Sequence, residues 1–467
     1  MKFIYITALL LLASAFAFGQ RIAPPKVSKQ VELVGIVFRL AGAPEYKHET
    51  YKDYSDAIHK HFDPYKEHNA VALAKQLNQK GAGYSYVAAL AVHLSEPAEL
   101  KLTAAMSRAD LKAFGGQKNV DEFLASLRDF YKVSHFEEFW AANTERFALA
   151  ERNFESLAKS VHPEWFDSFY GIKFKGNYKI VIGMGNGINF YGPSVTYRDG
   201  SQDIFTVFAP LIEDGEPRLP SNALVFTIHE FNHSFANPFI DRHEKAFESF
   251  ASKLFAKVEK EMSERAYNSW RILMYESLVR AATNTYLLKY NPNLVAGNRY
   301  GDMFEQGFVW VDAYTDLMKE YEAERDEYVT LDSFVPRLTG FFEKVAAREL
   351  TEYVADFDKR SARVLRVDLR ADKVEEVDPE LSEIKIVFDR PMDGKGISIN
   401  VSEKNGEKFP ELVGGRSAVS FANGNTEFVI KVKLEPNTSY GFVLTGKGFQ
   451  TSDRYPLKQY EVRFKTN

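Results

Sequence analysis

His229, Glu230 and His233 form the pentapeptide His229-Glu-Phe-Asn-His233. Its spacing carries chemistry if the segment is helical, because residues four apart share one face and both imidazoles can then reach a single Zn²⁺. Glu230 falls beside that metal. A carboxylate there can take a proton from a metal-polarised water and pass it to a leaving amine, the arrangement of metal-assisted peptide hydrolysis. The chain has ten histidines in 467 residues, so a match by composition alone has odds on the order of one per cent. The surrounding elements must decide.

Those elements predict a helix over 221–236. Ser221 follows Pro220 and can cap it, while Leu224, Val225 and Ile228 supply an apolar face leading to the histidines. Asn237-Pro238 is expected to end it, since proline has no N–H to donate and disfavours helical geometry at the residue before it. The competing explanation, two core histidines bonded to backbone, places two imidazoles and a carboxylate in an apolar helix with no metal to account for them.

A catalytic zinc usually takes three protein ligands and leaves one position for water. The metzincin continuation is absent, because Ala236 and Phe239 stand where it requires Gly and His. Glu276 is the better candidate, a carboxylate interrupting the apolar run Arg271-Ile-Leu-Met-Tyr-Glu-Ser-Leu-Val-Arg-Ala-Ala282. A buried carboxylate needs a partner. That partner is either the metal, with Arg280 supporting from behind, or Arg280 alone as an intrahelical pair. His243 is a ligand only if the chain doubles back, and Glu244 and Glu248 lie in a segment that reads as an amphipathic surface helix.

With these residues the chain resembles the gluzincin-type zincins, metallopeptidases whose HExxH helix is joined by a glutamate from a later helix. It resembles more closely a family of secreted bacterial proteins classified only as a domain of unknown function. The matching stretches are Gly185-Asn-Gly-Ile-Asn-Phe-Tyr-Gly-Pro193, Phe205-Thr-Val-Phe-Ala-Pro-Leu-Ile212, His229-Glu-Phe-Asn-His-Ser-Phe-Ala-Asn-Pro238 and Glu276-Ser-Leu-Val-Arg-Ala281, within about residues 30–350. The resemblance implies Zn²⁺ on His229, His233 and Glu276, with Glu230 as catalytic base.

Met1-Lys2, the apolar run Phe3–Leu12 and the small residues of Ala13-Ser-Ala-Phe-Ala-Phe-Gly19 read as a signal peptide, cleaved after Gly19 or after Ala17. The expected location is periplasmic or extracellular. No later run approaches the length of a membrane span, and zero cysteines exclude disulfides and a lipid-modified cysteine. A net charge of −5 with mixed signs argues against nucleic acid or an anionic membrane as partner. The expected partner is a peptide or protein substrate.

Along the chain, Val31–Leu40 reads as a first strand, residues from Asp53 to Phe174 as helical, and Tyr178–Met184, Ser194–Tyr197 and Phe205–Leu211 as strands leading into the HExxH helix. Helix returns over about 243–355. Past Asp356–Ser361 the pattern alternates, in Arg363–Leu369, Glu383–Phe388, Gly396–Val401, Glu427–Leu434, Ser439–Leu444 and Tyr460–Phe464. This tail resembles bacterial Ig-like domains through Ile384-Lys-Ile-Val-Phe-Asp-Arg-Pro-Met392 and Leu434-Glu-Pro-Asn-Thr-Ser-Tyr440. The expected fold is α+β: a signal peptide over 1–19, a zincin-like domain over 20–361 and an Ig-like β-sandwich over 362–467.

The function expected is zinc-dependent hydrolysis of peptide bonds, with Tyr275, His243 and Arg280 as residues to inspect for oxyanion stabilisation. Two other classes stand beside it. One is a secreted or cell-envelope binding protein on a zincin scaffold, which has no need of Glu230. The other is a zinc hydrolase acting on a glycan or peptidoglycan amide.

Overall fold

The computed structural model describes residues 21–263, 267–294, 307–371, 373–401, 406–453 and 455–467. The signal-peptide reading of residues 1–19 lies outside them. The fold is mixed helix and strand, of the α+β class. The chain gathers into two compact units, one running to Asp167 and adding Lys173–Phe231, the other formed by Ser168–Ile172 and Asn232–Asn467. Among the described residues, no helix is long and apolar enough to cross a membrane.

In the first unit, helices α1 (Lys29–Leu40), α2 (Lys52–Phe62), α3 (Asn69–Gln79), α4 (Ser85–Val92), α5 (Arg108–Ala113), α6 (Gln117–Val133), α7 (Phe136–Ala142) and α8 (Thr144–Lys159) precede all but the first strand of a mixed sheet. α9 (Pro163–Tyr170) follows them. The segment expected as a first strand is therefore helix α1. Ser28 starts it, its side chain accepting from the Val31 N–H. The misreading has a physical cause: Val31, Leu33, Val34, Ile36, Val37 and Phe38 are all buried, and a helix buried on every side shows neither a two-residue nor a 3.6-residue period.

The sheet consists of β1 (Lys26–Val27), β2 (Gly176–Ile182), β3 (Phe190–Tyr191), β4 (Ser194–Thr196) and β5 (Gln202–Phe208). β1 and β2 are parallel, as are β2 and β5, and β3 and β4 both run antiparallel to β5. β3 and β4 share one register, Tyr191 facing Val207 and Ser194 facing Ile204, so together they form one edge strand. The ladder skips only Gly192 and Pro193, where Pro193 has no N–H to give but its carbonyl still accepts from the Phe205 N–H at 2.9 Å. The hairpin β6 (Leu211–Glu213) and β7 (Glu216–Arg218) completes the strands before the HExxH helix.

Helix α10 (Ala223–Arg242) carries that pentapeptide. Its first turn is closed by the Phe226 N–H on the Asn222 carbonyl, one residue later than the expected cap at Ser221. It also continues past the predicted stop, because Pro238 lies inside the helix. Pro238 is exposed, so its ring faces solvent, while Phe239 and Ile240 are buried and hold the following turn in place.

In the second unit, α11 (Glu244–Ser263), α12 (Trp270–Tyr290), α13 (Val311–Ala323), α14 (Val335–Lys344) and α15 (Leu350–Arg360) follow. α12 is its centre, buried from Leu273 to Leu287 with few breaks. Ser269 caps its start by accepting from the Ile272 N–H. Polar bonds stitch it in place: Trp310 Nε1 donates to Ser277 Oγ at 3.1 Å and Asn284 Nδ2 to Thr315 Oγ1 at 3.3 Å.

The tail forms β8 (Val364–Asp368), β9 (Glu383–Phe388), β10 (Ile399–Val401), β11 (Glu411–Leu412), β12 (Val419–Ala422), β13 (Glu427–Lys433), β14 (Ser439–Leu444) and β15 (Tyr460–Lys465). One sheet has the order β10-β14-β15; the other has β11-β13-β9-β8, with β12 also on β13. Alternate residues of β9, β13 and β14 (Ile384, Ile386, Phe388; Phe428, Ile430, Val432; Tyr440, Phe442, Leu444) enter one apolar core.

Candidate metal centre

On α10, His229 and His233 stand one turn apart, and Asn232 between them anchors the helix. Its side chain is fully buried, accepts from the Tyr170 hydroxyl at 2.8 Å and donates to Thr283 Oγ1 on α12 at 3.4 Å. A buried amide with both ends bonded resists rotation of the helix about its own axis. His233 is oriented within the same helix: its Nδ1 lies 3.2 Å from Asn237 Oδ1. That oxygen only accepts, so Nδ1 is the donor of this pair, and in a neutral imidazole Nε2 is then the nitrogen able to bind a metal.

Nε2 of His233 lies 3.5 Å from Oε1 of Glu276 on α12. Glu276 is 7% exposed. Its other oxygen, Oε2, lies 3.3 Å from Nη2 of Arg280. The guanidinium of Arg280 rests over the Phe308 ring, 4.7 Å from its centroid, and reaches the Tyr267 hydroxyl at 3.5 Å. One ligand atom from each of His229, His233 and Glu276 lies within 4.8 Å of the others. Among the described residues, no other group of His, Cys, Asp and Glu does this. The three could hold a divalent cation: two neutral imidazoles and one carboxylate are a borderline donor set suited to zinc, and the arginine behind the carboxylate is the outer support such ligands generally have.

The other candidates are engaged elsewhere. His243 Nε2 meets Asp332 Oδ1 at 2.6 Å, and Arg242 reaches the same carboxylate at 3.2 Å. Partial burial pushes the Asp332 carboxyl up, but the bonds from His243 and Arg242 outweigh it and hold it below its ordinary range. His243 thus bonds to Asp332 and lies outside the His229–His233–Glu276 group. Glu244 pairs with Arg271, and Glu248 is exposed. Tyr275 donates its hydroxyl to Asp241; burial, and then that bond, push the phenol up and keep it protonated. Its only proton is therefore committed away from an oxyanion. Arg280 lies behind Glu276.

Asn237, Asn232 and Gly192 carry structural roles here that sequence reasoning did not single out. The Asn237-Pro238 pair was legible only as a helix stop. Gly192 lies in the Gly185–Pro193 stretch, yet nothing local shows that it packs directly on Glu230, where an added Cβ meets the Glu230 Cβ and carbonyl oxygen at 2.8 Å.

The chain belongs to the family described as "Domain of unknown function (DUF4932)", which it matches over residues 25–340. No curated relative matches the sequence. Among solved structures, the chain is similar to domains 1–6 of the surface layer protein SbsC at 12% identity and a TM-score of 0.17, covering 85% of this chain and 46% of that one. It is likewise similar to the N-terminal part of the bacterial S-layer protein SbsC at 13% identity and a TM-score of 0.17, over 85% and 79% of the two chains. The chain thus spans about half the length of the first of these structures.

Proposed function

We propose that this DUF4932 protein is an exported zinc-dependent metallopeptidase of gluzincin type. The observation that carries the reading is the convergence of His229, His233 and Glu276 within 4.8 Å, with Glu230 in the same helical turn. Zn²⁺ held there would polarise a scissile carbonyl and acidify a water. Glu230 is the proton carrier of the proposal, taking a proton from the attacking water and delivering it to the leaving amine. Glu276, held by Arg280, and His233, held by Asn237, are the preset ligands.

The edge strand supports a peptide as the substrate. Pro193 turns its carbonyl inward to β5, so the alternation of an antiparallel pair turns the N–H and C=O of Gly192 outward. An extended peptide can add to that edge beside Glu230. The remainder of the proposal concerns context: residues 1–19 act as an export signal, and the tail from 362 is an Ig-like module acting as spacer or stabiliser.

The test is metal analysis and peptide-library cleavage on four proteins. Wild type should bind about one Zn²⁺ and cleave; His229→Ala and His233→Ala should lose most of the metal. Glu230→Gln should keep metal and fold while losing roughly 10²- to 10⁴-fold in rate. A wild type that binds zinc and cleaves nothing points to the binding-scaffold class, and cleavage of a glycan or peptidoglycan amide instead changes the substrate. A wild type without zinc after reconstitution ends the proposal.

A further inference from the structure

We infer that Gly192 is a positioning residue for Glu230, and that the absence of a side chain at 192 sets the place of the general base against the edge strand. The inference rests on the peptidase reading for its catalytic consequence, but its geometry belongs to the strand and helix alone.

Two steps of contact join the edge strand to α10. Phe190 stacks on Phe226, ring centroids 4.4 Å apart at an interplanar angle of 20°, and also lies against Phe208 of β5. Two residues further along the strand and four along the helix, Gly192 meets Glu230. Two strand residues advance about 6.6 Å and four helical residues about 6 Å, so the second contact follows from the first with almost no slip. Side chains at i and i+2 on a strand point to one face. Phe190 therefore shows that position 192 faces the helix.

The two steps differ in what fills them. At the first, two aromatic rings hold strand and helix a full side-chain layer apart. At the second the gap closes: a Cβ added to Gly192 meets the Glu230 Cβ and carbonyl oxygen at 2.8 Å and collides still harder with its Oε2. Real Cβ atoms do not approach so near, so any side chain at 192 must displace the carboxylate or the helix turn beneath it. Backbone conformation does not demand the glycine, because its φ lies outside the left-handed region and Pro193 biases it toward extended geometry. Space demands it. The same backbone that confines the Glu230 carboxylate presents its own N–H and C=O outward at the strand edge, so base and substrate strand are placed by one residue.

The experiment is a double-mutant cycle on the full chain without metal, read by thermal unfolding, followed by kinetics on the zinc-loaded proteins. Gly192→Ala should lower Tm in the Glu230 background and lower it less in the Glu230→Ala background. Folding of Gly192→Ala only when combined with Glu230→Ala would be the same result in extreme form. Equal losses in both backgrounds, or failure to fold in both, would show that the glycine serves the helix backbone and not the Glu230 side chain, and would overturn the inference. With zinc bound and a peptide substrate, Gly192→Ala should reduce kcat on the order of 10- to 100-fold while KM and metal content stay near wild type. Loss of metal, or a rise in KM with kcat intact, also overturns it. Because the unfolding cycle needs neither metal nor turnover, a wild type that cleaves nothing removes the peptidase reading while the Gly192–Glu230 coupling is still decided.

Discussion

Glu276 divides its carboxylate between two partners, with Oε1 3.5 Å from Nε2 of His233 and Oε2 3.3 Å from Nη2 of Arg280. Sequence reasoning left two readings of this residue, a metal ligand with Arg280 supporting from behind or a partner of Arg280 alone. The geometry has room for the first, because a carboxylate has two oxygens and α12 aims Oε1 at His233 and Oε2 at Arg280.

Arg280→Met should therefore weaken zinc binding by about 10- to 100-fold, the usual effect of losing support behind a ligand, and should also lower the stability of the metal-free protein by leaving Glu276 buried without its cation. Glu276→Gln should weaken binding more. Chelator competition and thermal unfolding measure the two effects. If Glu276→Ala lowered Tm with zinc affinity unchanged, Glu276 would be only the structural partner of Arg280.

Asn237→Ala should cost about 10-fold or more in zinc affinity, since it frees the ring that Asn237 Oδ1 holds at 3.2 Å from His233 Nδ1. Asn237→Asp keeps an acceptor at the same place and should retain most of the affinity. An equal loss in both variants would mean that the amide matters to the helix around Pro238 and not to the imidazole.

Stability should fall as pH rises from about 4.5 to about 7, through Glu32. Burial on α1 pushes its carboxyl up to about 7, against the opposing bonds from the Tyr54 hydroxyl and the Met184 N–H. The folded state thus binds the proton more tightly than the unfolded chain. Its contribution is complete below the unfolded value near 4.5 and is lost as pH passes the folded value near 7. The size is on the order of a few kcal/mol. Glu32→Gln, neutral at every pH, should flatten that part of the profile in urea unfolding; an unchanged slope would assign it to other groups.

Phe388→Ala should destabilise the tail by about 3–5 kcal/mol and leave zinc content unchanged. The ring is 2% exposed in a core drawn from residues 362–464, and no ligand candidate lies among them. Calorimetry with metal analysis on the same sample reads both. Loss of zinc along with tail unfolding would mean that the tail completes the metal-bearing part of the chain.

What the sequence determined by itself is what depends on near neighbours. The four-residue spacing of His229 and His233 implies a shared face as soon as the segment is helical. The alternation in Glu383–Phe388 and Glu427–Leu434 predicts strands with one face inward, and Glu383–Phe388 and Glu427–Lys433 are strands of the tail core. Local signals failed where burial was complete or where a rule met a compensating environment. α1 is buried on every side, Glu32 and Arg39 included, and so has no readable period. α10 passes through Pro238 because that residue is exposed and the next two are buried. Only the tertiary structure decided which acid joins the histidines. Glu244 is far nearer in sequence than Glu276, yet Arg271 takes Glu244 and Asp332 takes His243, while the buried course of α12 brings Glu276 to His233. The contact of Gly192 with Glu230 was equally beyond local reading, because a glycine records in sequence only that a side chain is missing. What occupies the space it leaves is set by a helix that the chain reaches some thirty residues later.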